Sequence, residues 1–358
     1  MSSQMSQMKI RIVGAGLMGT SLALSLKSAG HELEMIDQNV DHQRLARDLV
    51  GSNEVVNPDL IVIATPVEHV LEVLKEQYQA NPDARFIDIG GLKSNLLLEV
   101  GRIPGLNARF LGTHPMAGRE SVGPTSARGD LFEGRAWIIT PSSQTSPQLL
   151  QMVRELVEST GATVFELEPE LHDEQIALIS HLPQVVSSLL GGELVDRGSD
   201  ELTLAGAGLR DTTRLAGSSP ELWSHLLTLN AHELRPLLES FKESIDKLID
   251  HLNESDIEGV RALIEAGNKG RAKIPGKHGG KDREYHLLPI VIEDKPGQLA
   301  KIFQECELAG VNVEDLQIEH SPGQETGLIT LSLSASDAQV LHSHLTKAGW
   351  LAHNPRTA

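Results

Sequence analysis

The residue type best suited to proton transfer near neutral pH stands in a short run, Gly112-Thr-His114-Pro-Met-Ala-Gly118, directly after a predicted strand. An imidazole has an ordinary pKa of about 6.5, so His114 can accept a proton or a hydrogen bond from a substrate hydroxyl. General-base help of this kind is typically worth roughly 10²–10⁴-fold in rate. His114 is therefore a candidate for proton transfer; a loop histidine that only caps backbone groups is an equal alternative on these residues alone.

A glycine-rich run, Gly14-Ala-Gly16-Leu-Met-Gly19, follows the strand-forming residues 9–13 and precedes a helix predicted over 20–28. Glycine at these three positions permits a tight turn, close approach of the backbone to a pyrophosphate, and packing of the helix on the strand. The first N–H groups of a helix, which lack carbonyl partners, can bind phosphate. The pattern predicts a dinucleotide site with contacts from Gly14, Ala15, Gly16, Leu17, Met18 and Gly19.

Asp37 ends the next predicted strand, 32–37, about twenty residues after the glycines. Its carboxylate could accept hydrogen bonds from an adenosine ribose and would repel a phosphate on that ribose. No arginine follows in Asp37-Gln-Asn39. We therefore expect NAD rather than NADP; the alternative is a strand–turn–helix unit that binds no nucleotide.

Two further runs follow predicted strands, Ala64-Thr65-Pro66 after the strand at 60–65 and Asp88-Ile-Gly-Gly-Leu-Lys93 after the strand at 85–89. In a doubly wound sheet, ligands bind beyond the carboxyl ends of the strands. We expect Thr65 and Pro66 to contact the cofactor and Lys93 to support catalysis near the nicotinamide. A solvated lysine is the alternative for Lys93.

Composition excludes several classes of protein. The chain of 358 residues has a net charge of −18, and no long basic run is interleaved with aromatics, so nucleic acid is not an expected partner. One cysteine, Cys306, excludes an internal disulfide and a cysteine metal cluster, and we predict no metal site. Residues 1–8 lack the charge and apolar core of a signal peptide, and no apolar run approaches the about 18 residues that cross a bilayer. We expect a cytoplasmic protein without a membrane partner.

The order of elements predicts three domains. Residues 8–167 alternate apolar strands with helices and predict an α/β Rossmann-type, doubly wound domain, with further strands at 109–112, 136–140 and 163–165 and helices at 67–77 and 147–159. Residues 168–272 lose the strand signal and predict an all-α domain. Its surplus apolar helix faces, which indicate a homodimer, carry Leu222, Leu226, Leu229, Leu237, Phe241, Ile245 and Ile249.

Residues 273–284 are rich in Gly and Lys and predict an exposed linker. Six Lys or Arg fall between Lys269 and Arg283, so an anion-binding patch is the alternative. Residues 285–358 predict a small α+β module of the order β-α-β-β-α, with strands at 285–293, 311–319 and 327–334 and helices at 298–309 and 338–348. A sheet of this size would need a partner for its edge.

Taken together, these runs resemble the prephenate dehydrogenases, which make 4-hydroxyphenylpyruvate for tyrosine synthesis. The resemblance spans roughly residues 8–272. It rests on the run around His114, on Ser180-His181-Leu-Pro183, and on Asp211-Thr-Thr-Arg214 followed by Trp223, which occur in the family's order and spacing. Their joint occurrence is much more specific than the glycine-rich run alone.

The resemblance implies an oxidation that moves hydride from the hydroxyl-bearing ring carbon to NAD while the ring carboxylate leaves as CO2. His114 would take the hydroxyl proton. Arg214 would bind the ring carboxylate, because a guanidinium offers a planar bidentate fork. His181 and Trp223 would line the substrate pocket, with Pro183 distorting the helix start so that His181 turns inward. The alternatives are a salt bridge from Arg214 to Asp211, a structural His181 and a core Trp223.

One position departs from the family pattern. Members commonly have Gly-Ser-x-Lys where this chain has Gly90-Gly91-Leu-Lys93. Gly91 lacks the serine hydroxyl that would orient the histidine or bind substrate. Thr113, Ser94 or water is expected to substitute, and either the rate is lower or the substrate is held differently.

The third segment resembles an ACT domain, at Glu293-Asp294-Lys-Pro296-Gly297 and at Gly310-Val-Asn312. Such domains usually bind an amino acid and regulate the enzyme to which they are attached. The resemblance implies feedback inhibition by tyrosine between two modules, with Asp294, Pro296, Gly297 and Asn312 at the ligand. The alternative is a module that only assists assembly, and phenylalanine, tryptophan and serine stay open as effectors.

Three other functions remain as alternatives. An arogenate dehydrogenase acts on a substrate with an amino group in place of the keto group, and the runs above concern the ring end that both substrates share. A ligand-binding sensor without activity is favoured only by Gly91. A plain hydroxy-acid dehydrogenase would not be expected to carry the run around His114.

Overall fold

The structure is a computed structural model that describes residues 6–118, 123–274, 285–319 and 326–357. The chain forms two compact units, Met1–Ile257 and Glu258–Ala358, and each is described by itself. Most of the linker predicted at 273–284 lies outside the described residues. Among the helices of the described ranges, none is both long enough and apolar enough to cross a membrane. The cytoplasmic location stays a prediction.

The first unit contains a seven-stranded sheet with the strand order β2-β1-β3-β4-β5-β6-β7. Its strands are β1 (Lys9–Val13), β2 (Glu32–Ile36), β3 (Leu60–Ile63), β4 (Arg85–Asp88), β5 (Phe110–Pro115), β6 (Ala136–Thr140) and β7 (Thr163–Glu166). All neighbouring strands are parallel except β5 and β6, which pair antiparallel. The described part of the connection between these two contains only a three-residue 3-10 turn, Pro124–Ser126, and not the helix that usually forms the crossover between parallel strands.

Five helices accompany this sheet: α1 (Leu17–Ser28), α2 (Val40–Val50), α3 (Val70–Ala80), α4 (Ser94–Gly101) and α5 (Pro147–Ser159). The predicted α/β class and the predicted bounds of α5 and β6 are confirmed. Helix α1 begins three residues earlier than predicted, because Gly16 is extended and serves as its N-cap. Helix α4, directly after Lys93, was not predicted.

The core of the first unit follows from the alternation along buried parallel strands. Ile10, Ile12 and Val62 pack in one apolar cluster, whereas Val13 and Ile61 pack in another. Because successive side chains of a strand point to opposite faces, these clusters cover the two faces of the sheet. The carboxyl ends of the strands are thereby held as a rigid edge.

The chain continues after the sheet as helices, as predicted for 168–272. They are α6 (Pro169–Ile176), a π-helical turn (Ala177–His181), α7 (Leu182–Gly192), α8 (Ser199–Leu202), α9 (Ala207–Thr213), a 3-10 turn (Arg214–Gly217), α10 (Pro220–Leu229), α11 (Ala231–Asn253) and α12 (Ile257–Arg271). Several apolar side chains of α10 and α11 are exposed in the single chain, namely Leu222, Leu229, Phe241, Ile245 and Ile249. These are the surplus apolar faces that the sequence indicated.

The second unit carries α12 apart from its first residue, followed by an antiparallel sheet with two further helices. Its elements are β8 (His286–Glu293), α13 (Gln298–Ala309), β9 (Asp315–Glu319), β10 (Thr326–Leu333), α14 (Ala335–Lys347), β11 (Leu351–Ala352) and β12 (Arg356–Thr357). The strand order is β11-β8-β10-β9, and β12 also pairs with β8. The predicted β-α-β-β-α order is present, and β11 and β12 extend it along β8.

Candidate active site

Gly14 and Gly19 have the tight contacts that the sequence predicted, and the predicted phosphate contact at Gly16 stays a prediction. A Cβ at Gly14, whose φ is +114°, would lie 2.4 Å from the carbonyl oxygen of Ala64. A Cβ at Gly19 would lie 2.0 Å from the carbonyl oxygen of Gly14, so the helix could not pack on the strand. Beside Gly16 there is open space, with nothing within 4 Å of a Cβ built there. This space is where a pyrophosphate would approach the backbone.

The amides around this turn divide into two groups. The N–H of Thr20 donates to the carbonyl oxygen of Gly16 at 3.1 Å, so the preceding amides of the first turn, Leu17, Met18 and Gly19, have no carbonyl four residues back within the helix. The N–H of Ala15 instead donates to Asp37 Oδ2 at 2.6 Å. Ala15 therefore fixes the acidic residue of the ribose site, and the helix amides are left for phosphate.

Thr65 and Pro66 follow β3, on the same edge of the sheet as Gly14. Within the described ranges, the buried Thr65 Oγ1 has no hydrogen-bond partner. Buried polar groups are usually hydrogen-bonded, so this hydroxyl has the capacity to bond to water or to a ligand at the edge of the sheet. Together with the space beside Gly16, this hydroxyl fits a bound dinucleotide.

His114 lies on β5 and belongs to a chain of side-chain hydrogen bonds. Its Nδ1 is 2.9 Å from His172 Nε2, and His172 Nδ1 is 2.7 Å from Asp173 Oδ1. His172 is fully buried and His114 is partly exposed. Sequence reasoning found His114 but missed His172 and Asp173, both on α6.

Asp173 is anchored at the start of α4. Its Oδ1 accepts the N–H of Lys93 at 2.9 Å and its Oδ2 accepts the N–H of Ser94 at 2.8 Å. Burial alone would raise the pKa of Asp173, but its hydrogen bonds with His172, Ser94 and Lys93 outweigh burial and lower that pKa. The positive end of the α4 dipole also favours the ionised carboxylate.

Lys93 is fully buried, and its ammonium forms an ion pair with the equally buried Asp88 at the end of β4. Asp88 also accepts the N–H of Gly90 at 2.9 Å and the N–H of Thr113 at 3.2 Å. Burial raises the pKa of Asp88, and the ion pair with Lys93 opposes that shift. The predicted solvated alternative for Lys93 is therefore wrong, and its predicted support of the site stays a prediction.

These neighbours determine the electrostatics at His114. Burial lowers the pKa of His114 well below its ordinary value, and His172, Lys93 and His181 lower it further, whereas Asp173 opposes them. The imidazole consequently stays neutral at neutral pH, and a neutral imidazole can accept a proton.

His181 is turned inward, as Pro183 suggested. It is 1% exposed, at the end of the π-helical turn, and its Nδ1 is 3.2 Å from Asn230 Nδ2. The rings of His181 and Trp223 meet edge to face with centroids 5.9 Å apart. Burial lowers the pKa of His181 to about 4. His181, Trp223 and Asn230 thus form one cluster, and the predicted contacts of the first two with substrate stay predictions.

Arg214 is the first residue of the 3-10 turn after α9, and it is exposed in the single chain. The turn is tied to α7, because Gln184 Nε2 donates to the carbonyl oxygen of Leu215 at 2.9 Å and Ala216 N–H donates to Ser187 Oγ at 3.1 Å. Arg214 is thereby carried on a fixed backbone, and its role with the ring carboxylate stays a prediction.

Gly91 directly faces the ring of His114. A Cβ at Gly91 would lie 3.8 Å from His114 Nε2 and 3.2 Å from a methyl group of Leu226. The two hydroxyls predicted to replace the family serine are committed elsewhere, since Thr113 Oγ1 donates to the carbonyl oxygen of Asp88 at 2.6 Å and Ser94 Oγ donates to that of Pro169 at 3.0 Å. Water or the substrate itself is left to contact Nε2.

The residues of the predicted effector site lie in the second unit. Asp294, Pro296 and Gly297 follow β8, and Gly297 has a φ of +87°. Asn312 precedes β9, and its Nδ2 donates to Glu314 Oε1 at 3.1 Å. Glu293 pairs with Thr326 and Asp315 pairs with Ser332, so the two groups lie at opposite ends of the sheet, about 20 Å apart. A pocket that contains both groups would need two copies of the module.

The glycine-rich turn from Gly14 to Gly19 and the hydrogen-bonded pair of His114 and His172 are features of an NAD-linked dehydrogenase with a Rossmann-type domain. Residues 17–166 match the family described as prephenate dehydrogenase, nucleotide-binding domain, and residues 168–266 match prephenate dehydrogenase, dimerization domain. The chain belongs to the prephenate dehydrogenase family.

Individual relatives agree with this assignment. The chain is 30% identical to the probable prephenate dehydrogenase NovF of Streptomyces niveus over 96% of this chain and 99% of that protein. The crystal structure of prephenate dehydrogenase from Aquifex aeolicus with hydroxyphenyl propionate and NAD+ is 29% identical, with a TM-score of 0.67 over 75% of this chain and 99% of that chain. The arogenate dehydrogenase of Synechocystis is also 29% identical, with a TM-score of 0.61 over 74% and 99% of the two chains.

Proposed function

We propose that this chain oxidises and decarboxylates prephenate to 4-hydroxyphenylpyruvate, with NAD as the hydride acceptor. The observation that carries the proposal is His114 on β5, whose Nε2 lies on the side of Gly91 and whose pKa burial lowers, so that the imidazole is neutral. Family membership supports the substrate, and the open glycine turn with the buried Thr65 hydroxyl supports the cofactor.

The reaction balances without an added oxidant or a released proton. NAD, when bound, would supply the hydride acceptor for the ring carbon that carries the hydroxyl. The bond between the ring and its carboxylate breaks, CO2 leaves, and the bonding electrons make the ring aromatic. His114 accepts the hydroxyl proton as the hydride leaves and returns it to the phenol oxygen of the product, so no proton is released. General-base help of this kind contributes roughly 10²–10⁴-fold.

Substrate binding is assigned to the helical region. Arg214 supplies a guanidinium for the ring carboxylate, and His181 and Trp223 supply one buried wall. The exposed apolar faces of α10 and α11, together with the match to a dimerization domain, support a homodimer. Covering these side chains would remove a large apolar patch from water, which is the usual driving force for such association.

Arogenate is the second candidate substrate. The Synechocystis arogenate dehydrogenase has nearly the same TM-score and the same identity as the Aquifex aeolicus enzyme. The side chains near His114 would face the ring end, which both substrates share. The keto or amino group lies at the other end of the substrate and decides between them.

We also infer that the second unit is an ACT-type regulatory module that binds an amino acid, with tyrosine as the expected effector. Its strand order, β11-β8-β10-β9, with two helices between strands, supports a ligand-binding α+β module. Two copies would bring the Asp294–Gly297 turn of one chain near Asn312 of the other. Deletion of 285–358 should abolish inhibition by tyrosine; unchanged inhibition would remove the module from regulation.

The deciding experiment is NADH formation by the full chain with prephenate or arogenate, each with NAD and with NADP. Turnover of prephenate with NAD is expected. A preference for arogenate would change the pathway step and leave the cofactor site and His114 in place. Absence of turnover with both substrates would overturn the proposal and favour a sensor that lost its activity when Gly91 replaced serine.

A further inference from the structure

We propose that His172 and Asp173 are positioning residues that fix the tautomer of His114, so that its Nε2 carries a lone pair and becomes the proton acceptor. The identity of the substrate that gives a proton to Nε2 rests on the proposed function, whereas the tautomer of His114 does not.

Asp173 is the fixed end of the chain. It accepts backbone N–H groups on both oxygens, from Lys93 at 2.9 Å and from Ser94 at 2.8 Å. Backbone amides only donate, so both oxygens must accept, which is what an ionised carboxylate does. The lowered pKa of Asp173 agrees with that state. His172 Nδ1, 2.7 Å from Oδ1, must therefore carry the hydrogen.

The next link follows from the chemistry of neutral imidazole. When His172 Nδ1 donates, its Nε2 has a lone pair and accepts. The atom within reach is His114 Nδ1 at 2.9 Å, which must then be the donor. The remaining nitrogen of His114, Nε2, is left without a hydrogen and lies on the side of Gly91. The chain thus presents a base to the site and prevents the opposite tautomer.

The same chain stabilises the charge that develops during reaction. When Nε2 takes up positive charge, Nδ1 still donates to His172, and the carboxylate of Asp173 at the far end raises the pKa of His114. The other charged or titratable groups near the ring are His172, Lys93 and His181, which lower that pKa, and Asp88 neutralises Lys93. Loss of Asp173 would therefore lower the pKa of His114, and the tautomer of His114 would no longer be fixed.

The first test is Asp173→Asn in the full chain. An asparagine has one acceptor oxygen and one NH2 group. The NH2 group must replace Oδ1 or Oδ2, so it meets the backbone N–H of Lys93 or that of Ser94, which also donates, and the anchor of His172 is lost. Nitrogen-15 NMR of the imidazoles should then show His114 with hydrogen on Nδ1 in the unchanged enzyme and a mixture of the two tautomers in the variant. We expect kcat to fall by about 10²-fold or more with KM nearly unchanged.

The second test separates polarity from packing at the middle of the chain. In His172→Gln, the amide can donate to Asp173 and accept from His114, so the tautomer and most of kcat should survive. In His172→Leu, neither hydrogen bond forms, and kcat should fall about 100-fold. A role in packing alone would predict the reverse order, because leucine keeps an apolar core better than glutamine.

A third readout is the acid limb of kcat/KM against pH. Because Asp173 raises the pKa of His114, Asp173→Asn should move this limb to lower pH, which a purely structural role would not do. The matched control is His344→Gln in the second unit, which breaks a histidine–carboxylate pair with Glu305 at 2.6 Å. The control should keep the turnover of the unchanged enzyme.

The outcomes separate this inference from the proposed function. The NMR measurement needs no substrate, so it tests the tautomer even in an enzyme that turns over neither prephenate nor arogenate. Hydrogen on Nε2 of His114 in the unchanged, folded enzyme would overturn the inference. Full kcat with an unmoved acid limb in both Asp173→Asn and His172→Leu would overturn it too, whichever substrate is used.

Discussion

Two regions of the first unit are built in opposite ways. Around His114 the polar side chains are withdrawn from solvent and hydrogen-bonded to one another; Asp88, Lys93 and His172 are all fully buried. In α9 and α10 no residue is buried, and in α11 only Leu234 is. The hydrogen-bonded groups around His114 all come from one chain, whereas the helices beside Arg214 and around Trp223 expose apolar side chains.

From this difference we expect that substrate binding depends on association with a second chain, whereas the hydrogen bonds around His114 do not. Burial of a leucine, isoleucine or phenylalanine side chain contributes roughly 1.5–3 kcal/mol, so the exposed faces of α10 and α11 are strong candidates for a subunit interface. A partner that covers them would fix the helices on which substrate residues are mounted. His114 would be ready before that event.

The largest expected effect concerns the buried region. His114→Asn removes the proton acceptor, and we expect kcat to fall about 1000-fold while the affinity for NAD, measured by calorimetry, is unchanged. A variant that kept its turnover would show that His114 and the residues hydrogen-bonded to it are not needed for catalysis.

The next effect concerns the exposed region. The double variant Phe241→Glu and Ile245→Glu places two charges on the apolar face of α11, where both side chains are exposed. We expect a monomer by light scattering and at least about a tenfold loss of kcat/KM, because desolvating these charges opposes association. Val56→Glu is the control, since Val56 is 65% exposed but lies outside these helices. A stable dimer of the double variant would place the interface elsewhere.

A smaller effect separates binding from chemistry. Arg214→Gln removes the guanidinium fork, and a charge-assisted hydrogen bond is worth roughly 1.5–3 kcal/mol, so KM for prephenate should rise about 10- to 100-fold. The value of kcat should change much less. Arg197→Gln, which breaks an exposed pair with Glu201 at 3.8 Å, is the matched control. An unchanged KM would return Arg214 to a structural role.

The smallest effect is on stability and concerns His181, where the two regions meet. Its pKa is lowered to about 4 in the folded chain and is about 6.5 when unfolded, so the unfolded state binds more protons between these values. Folding stability from this residue is therefore present above pH 6.5 and lost as pH falls towards 4, by about 3 kcal/mol. Thermal unfolding of His181→Gln should lose less stability across this window, and exposed His232→Gln should behave as the unchanged enzyme.

Sequence could predict what is local. The glycine turn, Asp37 and His114 were found because each is recognised from its immediate neighbours, and Pro183 correctly indicated that His181 turns inward. His172 was missed because it meets His114 across 58 residues, and Asp173 because its contact with Lys93 spans 80. A His–Asp pair near the start of a helix carries no local signal that distinguishes it from a solvated pair.

The antiparallel step in the sheet was missed for a related reason. The pattern of apolar residues in a strand predicts which side chains are buried but not the direction of the strand. The direction of β6 depends on its connection to β5, and the described part of that connection has one short 3-10 turn. The replacement of the family serine was also misjudged, because only the structure shows that the hydroxyls of Thr113 and Ser94 are already bonded to carbonyl oxygens.

The contacts among His114, His172 and Asp173 limit which segments of this enzyme can be exchanged with those of a relative. His114 belongs to the segment matched over 17–166, and its supports, His172 and Asp173, belong to the segment matched over 168–266. Asp173 in turn depends on the first turn of α4 in the earlier segment. A chimera that joins the nucleotide-binding half of one relative to the helical half of another would have to form these contacts anew between residues from different parents. We expect such a chimera to lose them wherever the two parents place α4 and α6 differently.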